Sequence, residues 1–516
     1  MHHICKEDFW EPPGIIYTVS ILENVFDPGI NYRYSSILSS KESKAEVQNI
    51  KKTIEQLSSR IGEPRAYAIL ASAMGVFYFY SAFLANQIRY GFNQLSILGF
   101  PIAAGFALVI TGLLILIHNK DQSSPSTGKP IPFRRLLLPA TLAAILLMPL
   151  FWMLKNGFIN SDGLLNMQSL LLGVRIMSHD EMLSTFIITK IWESGILGFR
   201  PENSISAFSV FFGGFYVWVS VILGGRLTGR RWPLFLILCL SSGFVQMFVG
   251  DVEFYAMVAA MTALYLLMVL EHLRGRISIL LPAITLAFAI SSHLLAGWLL
   301  PSFLFLCLRS IKRKEWGKSL ISVLVMILVT GFLFVIVTDA GLPIRNLTYS
   351  HAMGSADKGT LDMLAQPSIS YYASVINVLF LLFPLWLMIP LMFIYKRIEF
   401  SPYNIFLGIC LFMLLLLAFV WFLGLGPYFD WNLIATTGVP ASVLVWGNLL
   451  KGSWVKGIKT AVWALFLISA LHSWTWIVNN NHQFSNIPEE HRNHLSDIIY
   501  QTRSFNFTDL IQSEEN

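Results

Sequence analysis

The chain alternates long apolar runs with short polar breaks, and the runs are too long for a water-soluble core. Charged residues are absent from 136–154, 232–250, 320–337 and 404–423. A run of roughly 18 or more uncharged, mostly apolar residues reads as a bilayer-crossing helix. On this pattern the predicted spans are 67–85, 95–117, 136–154, 207–225, 232–250, 254–270, 277–291, 294–308, 320–337, 372–395, 404–423, 433–450 and 458–478. The 277–308 stretch is read as two short helices in a hairpin with His293 at its tip. Basic residues flank it on both sides, at Arg274 and Arg276 before and at Arg309 and Lys312 after. Basic flanks prefer the same, inner side of a membrane.

Composition agrees with the pattern. The 516 residues are 55% hydrophobic and 13% charged, with a mean hydropathy of +0.61. Soluble domains carry about 25% charge, so the expected fold class is an all-α integral membrane protein with about thirteen spans. Fifteen Trp and 17 Tyr, often near run ends, suit interfacial aromatic belts. The net charge of +6 is small, and nothing in its distribution suggests a nucleic-acid partner. The four Cys show no metal or disulfide spacing.

Placing the N-terminus in the cytoplasm puts the loops 120–135, 226–231, 274–276, 309–318, 396–397 and 451–459 inside. Those loops hold more than half of the 36 basic residues. The expected order is a polar cytoplasmic segment (1–64), two leading spans with a linker (65–135), a transmembrane core (136–480) and an outer C-terminal tail (481–516). Four outer stretches then carry the informative residues: 155–206, 250–255, 339–371 and 424–433.

Candidate chemistry lies on that outer face. Asp162, in KNGFINSDGLLN, is placed where a carboxylate could take a proton from an acceptor hydroxyl; Asn-Ser-Asp-Gly is equally good turn chemistry. The segment after it is too polar to span and too apolar for a free loop, and reads as interfacial helices. His179, Asp180 and Glu181 interrupt its apolar spacing, as acids at a helix start would. Asp251 and Glu253 are pressed between two spans with almost no loop to solvate them, where ionisable groups are expensive and usually functional. His293 sits at a hairpin tip, and Asp430 and Trp431 lie in GPYFDWNL, whose aromatics suit either sugar stacking or the headgroup layer.

Taken together, the early loop acid Asp162, the GDVEFY turn and FDWNL resemble the GT-C class of membrane glycosyltransferases, over about residues 136–480. The resemblance implies an eleven-helix GT-C-like core after two leading spans, with interfacial helices in the first large outer loop. It implies sugar transfer, with inversion, from a polyprenyl-phosphate-linked donor to an acceptor at the outer face. Membrane lipids are then the surroundings, and the acceptor is a glycan, lipid or protein. On that resemblance Asp162 matches the acid that activates the acceptor, and Asp251 or Glu253, with His293 beside them, the second acidic position near the donor phosphate. Asp180, Glu181, Arg345, Asp430 and Trp431 are substrate-binding candidates, and Arg175, Arg200 or Arg345 would meet the phosphate. A divalent cation (Mg or Mn) is a further way to hold it, with no cofactor certain. The sequence departs from the pattern at Gly163, where a second acid is usual, and at Asn432, where related sequences often have Asp. The alternative is a non-catalytic translocator or envelope polysaccharide-handling protein using the same carboxylates as a vestibule.

Overall fold

The computed structural model describes residues 41–81, 129–155, 181–198, 201–339, 369–420, 430–451 and 456–482, together with Met167 and Leu170. Among these residues the secondary structure is helical and there is no strand. The chain divides into two compact units. The first ends at Gly62 and contains α1 (Lys41–Ile61), a polar, highly charged helix within the segment expected to be polar.

The second unit is the membrane part. Its helices are α2 (Glu63–Ser81), α3 (Phe133–Met153), α4 (Met182–Glu193), α5 (Pro201–Thr228), α6 (Trp232–Cys239), α7 (Tyr255–Leu273), α8 (Leu280–Ser292) and α9 (Leu300–Lys312). They continue with α10 (Trp316–Asp339), α11 (Ile369–Leu382), α12 (Met388–Ile394), α13 (Pro402–Val420), α14 (Trp431–Ala435), α15 (Gly438–Lys451) and α16 (Lys456–His482). Among the described residues eight helical stretches are long and apolar enough to cross a bilayer, and two shorter apolar helices accompany them. The protein is thus an all-α, multi-pass integral membrane protein. The expected span 95–117 lies outside the described residues.

Burial ranks the spans. In the α14–α15 stretch 94% of the residues of its apolar window are buried, whereas only 22% are in α3 and 17% in α10. Large apolar side chains of α10 such as Leu320, Leu324 and Phe332 stay exposed. In water that would be a liability; against lipid it is the expected outer surface.

Around α5 the packing is tight enough to read residue by residue. A Cβ at Gly225 would overlap Leu136, and one at Gly214 would overlap Met148, so α3 runs antiparallel against a glycine-lined face. Small residues allow such close approach where no hydrophobic effect drives helices together. α5 and α7 run parallel and are fastened at both ends. At one end Ser206 Oγ donates to Gly250 O (2.8 Å) and Ser209 Oγ to Asp251 O (2.7 Å), just before α7 begins. At the other, the Arg226 guanidinium donates to both carboxylate oxygens of Glu271, at 2.7 and 2.6 Å.

Two predicted spans are broken. The run 232–250 is helical only over α6; it then bends at Ser241 and Ser242 and closes as a 3-10 helix, Gly243–Phe248. The freed carbonyls are satisfied by α16: Trp474 Nε1 donates to Leu240 O (2.9 Å) and Ser469 Oγ to Ser241 O (2.9 Å). Irregular backbone at membrane depth is tolerated when protein supplies the missing partners in this way. The run 372–395 likewise splits into α11 and α12, with Trp386 Nε1 donating to Leu379 O at 2.6 Å across the break. At His293 the backbone is extended (φ −162°), so 277–308 is two helical pieces joined by the 3-10 turn Leu294–Leu299.

Candidate functional site

The segment between the 3-10 helix and α7, GDVEF, forms a buried turn rather than an exposed loop. Gly250 has φ +62°, and a Cβ there would overlap Lys155 at the end of α3. The turn is therefore wedged between α3 and α5, held by Ser206 and Ser209. Asp251 is 4% exposed and Glu253 2%. Two carboxylates taken this far from water are costly groups that a purely structural turn does not need.

Neighbouring elements bring further polar groups. Lys155 Nζ donates to Asn203 Oδ1 (2.9 Å) and lies 4.9 Å over the Trp152 ring, so a cation flanks the acidic turn. Tyr255, the first residue of α7, packs its ring on His293 with centroids 4.7 Å apart. His293 Nδ1 accepts the Leu295 N–H at 3.0 Å, which leaves the ring hydrogen on Nε2, 3.3 Å from Glu181 Oε1. Both ring nitrogens are thereby engaged, and the imidazole orients Glu181. Ser184 Oγ adds a second tie from α4, donating to Ser292 O at 2.9 Å. The 3-10 helix behind the turn carries Gln246, fully buried, whose amide makes no hydrogen bond among the described residues.

Of the sequence candidates, the structure thus joins Asp251, Glu253, His293 and Glu181 in one continuous neighbourhood. Asp430 stands at the N-cap position of α14, without a side-chain capping bond, and is half-buried; Trp431 is buried against Trp476, ring centroids 5.0 Å apart. α14 touches the same 3-10 helix that carries Gln246. Asp162, Asp180, Arg175, Arg200 and Arg345 lie outside the described residues. The chain that carries Asp162 and Asp180 nonetheless starts at Lys155, against Gly250, and ends at Glu181, against His293. Among the described residues no three His, Cys, Asp or Glu side chains come together as metal ligands.

Ser206, Ser209, Lys155 and Tyr255 were not singled out from the sequence. The serines did leave a signal: Ser206 and Ser209 lie three apart, on one helical face of an otherwise apolar run. That they would pair with the turn 42 to 44 residues on left no local trace.

No family model matches this sequence, and no curated protein matches it. Among solved structures, ArnT from Cupriavidus metallidurans bound to undecaprenyl phosphate is similar at 16% identity, with a TM-score of 0.39. The match covers 60% of this chain and 62% of that one. The apo state of the same protein is similar at 15% identity and a TM-score of 0.39, covering 65% and 60%. This chain therefore spans about three fifths of the length of the ArnT structures it matches.

Proposed function

We propose that this protein is a GT-C-type membrane glycosyltransferase that moves a sugar, with inversion, from a polyprenyl-phosphate-linked donor to an acceptor at the outer membrane face. The observation that carries the reading is that Lys155, before the 156–180 segment, abuts the buried acidic turn at Gly250, while Glu181, after it, meets His293, whose ring packs on Tyr255 next to that turn. In this proposal Asp162, carried between them, works with Asp251 and Glu253. Asp162 is seven residues from Lys155, within roughly 25 Å even fully extended.

In this mechanism Asp162 takes the proton of the acceptor hydroxyl as its oxygen attacks the anomeric carbon. The carbon–oxygen bond to the polyprenyl phosphate breaks on the opposite face, and the phosphate leaves with the bonding pair. Asp251 and Glu253 cannot face the phosphate bare, because like charges repel. They act by orienting cations toward it, of which Lys155 is already beside the turn. His293 holds Glu181 in place, and Asp430 and Trp431 line the sugar's approach.

Purified protein in lipid nanodiscs, given labelled polyprenyl-phosphate sugar and acceptor, is expected to release polyprenyl phosphate. Asp162→Asn should lower the rate by about 10²–10⁴-fold without changing insertion, and Asp251→Asn with Glu253→Gln should raise the donor KM. Transport of intact lipid-sugar across vesicles, with no release, would make the protein a translocator instead. Near-normal transfer by Asp162→Asn would move the base to Asp180 or Glu181.

A further inference from the structure

At the opposite end of the same helices lies a cleft of about 200 Å³, between the ends of α5, α7 and α15 and the start of α13. α7 alone separates it from the acidic turn by roughly 28 Å at 1.5 Å per residue. Its floor is apolar, from Leu227, Leu270 and Leu407, and its rim carries Arg274 and Lys451. Asn404 and Asn448 close one wall as a reciprocal amide pair, with Nδ2 of each donating to Oδ1 of the other at 2.9 and 3.1 Å. Their remaining amide hydrogens go to Glu399 O and Leu444 O, so the pair is structural and leaves recognition to the rim.

Among the described residues Arg274 is poorly supplied with negative charge. Glu271 is the carboxylate for three guanidiniums. Arg226 takes both of its oxygens, Arg276 approaches at 3.1 Å, and Arg274 reaches it only at 3.5 Å. That one long contact leaves most of Arg274's five donors unspent among the described residues. Burial, reinforced by the nearby Arg226 charge and opposed by Glu271, pulls Arg274 below the usual arginine range. An arginine with spare donors beside a lysine is a fork for phosphate oxygens. The apolar floor selects further, since a free inorganic anion has no use for leucines. Basic pockets between spans at a bilayer face take lipid head groups.

We propose that this cleft seats the phosphate of an anionic membrane phospholipid, with Arg274 and Lys451 on its oxygens and the glycerol shoulder on Leu227, Leu270 and Leu407. The test uses the full chain in detergent, with thermal stability read after adding phosphatidylglycerol or phosphatidylcholine. Phosphatidylglycerol is expected to raise Tm and phosphatidylcholine not to. In native mass spectra Arg274→Gln with Lys451→Gln should retain phosphatidylglycerol about tenfold less. Lys318→Gln, in an exposed pair with Glu315, should behave as wild type. A photoactivatable phosphatidylglycerol on wild type provides an arm that needs no variant: labelled peptides should fall within 227–274 and 401–451. Equal retention by the double variant, labelling only elsewhere, or a Tm rise reproduced by millimolar inorganic phosphate alone would each overturn the lipid site.

Discussion

Gly250 concentrates the demands of the acidic turn in one residue. Its φ of +62° already disfavours any L side chain, and the space where a Cβ would go is filled by Lys155. Gly198 offers an internal comparison, with φ +68° and nothing within 4 Å of its Cβ position. Gly198→Ala should therefore cost only the left-handed penalty, about 1–2 kcal/mol, while Gly250→Ala adds a steric clash and should lower Tm further. Equal shifts for the two in a detergent melting experiment would mean that α3 yields freely and the wedge is not tight. At this scale the sequence was half legible. Asp251 and Glu253 stood out because charges between apolar runs violate the pattern. The Glu181–His293 contact did not, since it joins residues more than a hundred apart and local spacing carries no trace of it.

Fastening at both ends makes α5 and α7 the most constrained pair of elements. Arg226 is 4% exposed and its carboxylate partner is nearly as deeply buried. Removing one member of a buried pair strands the other, at a typical cost of 3–5 kcal/mol, whereas replacing both by apolar groups is often neutral. Arg226→Met should thus melt well below wild type, near the lower end of that range because Arg274 and Arg276 still face Glu271. Arg226→Met with Glu271→Leu should recover much of the loss; a double variant as unstable as the single would show that the pair is not the source. The helices themselves were readable from hydropathy, since most apolar runs are helical over nearly their predicted lengths. The breaks after Cys239 and Leu382 were not. A window average registers how apolar a run is, and says nothing of distant donors such as Trp474 and Ser469 that make a bent backbone affordable.

For the molecule as a whole, alternation of basic loops predicts that residues 120 and 479 lie on opposite sides of the membrane. Reporter fusions after Lys120 and Asn479 should give opposite signals, and two cytoplasmic signals would revise the span order. The paired fastenings of α5 and α7 also decide where the molecule can open like a door. That frame resists widening at either end, because each end is closed by buried polar bonds. The seam between α4 and the end of α8 is latched by two hydrogen bonds, Ser184 to Ser292 and His293 to Glu181. At about 0.5–1.5 kcal/mol for the serine bond and about 1.5 kcal/mol for the long one to the carboxylate, such a latch is weak beside the Arg226 clasp. Swinging α4 outward would therefore part Ser184 and Glu181 from the end of α8 while the frame stays shut.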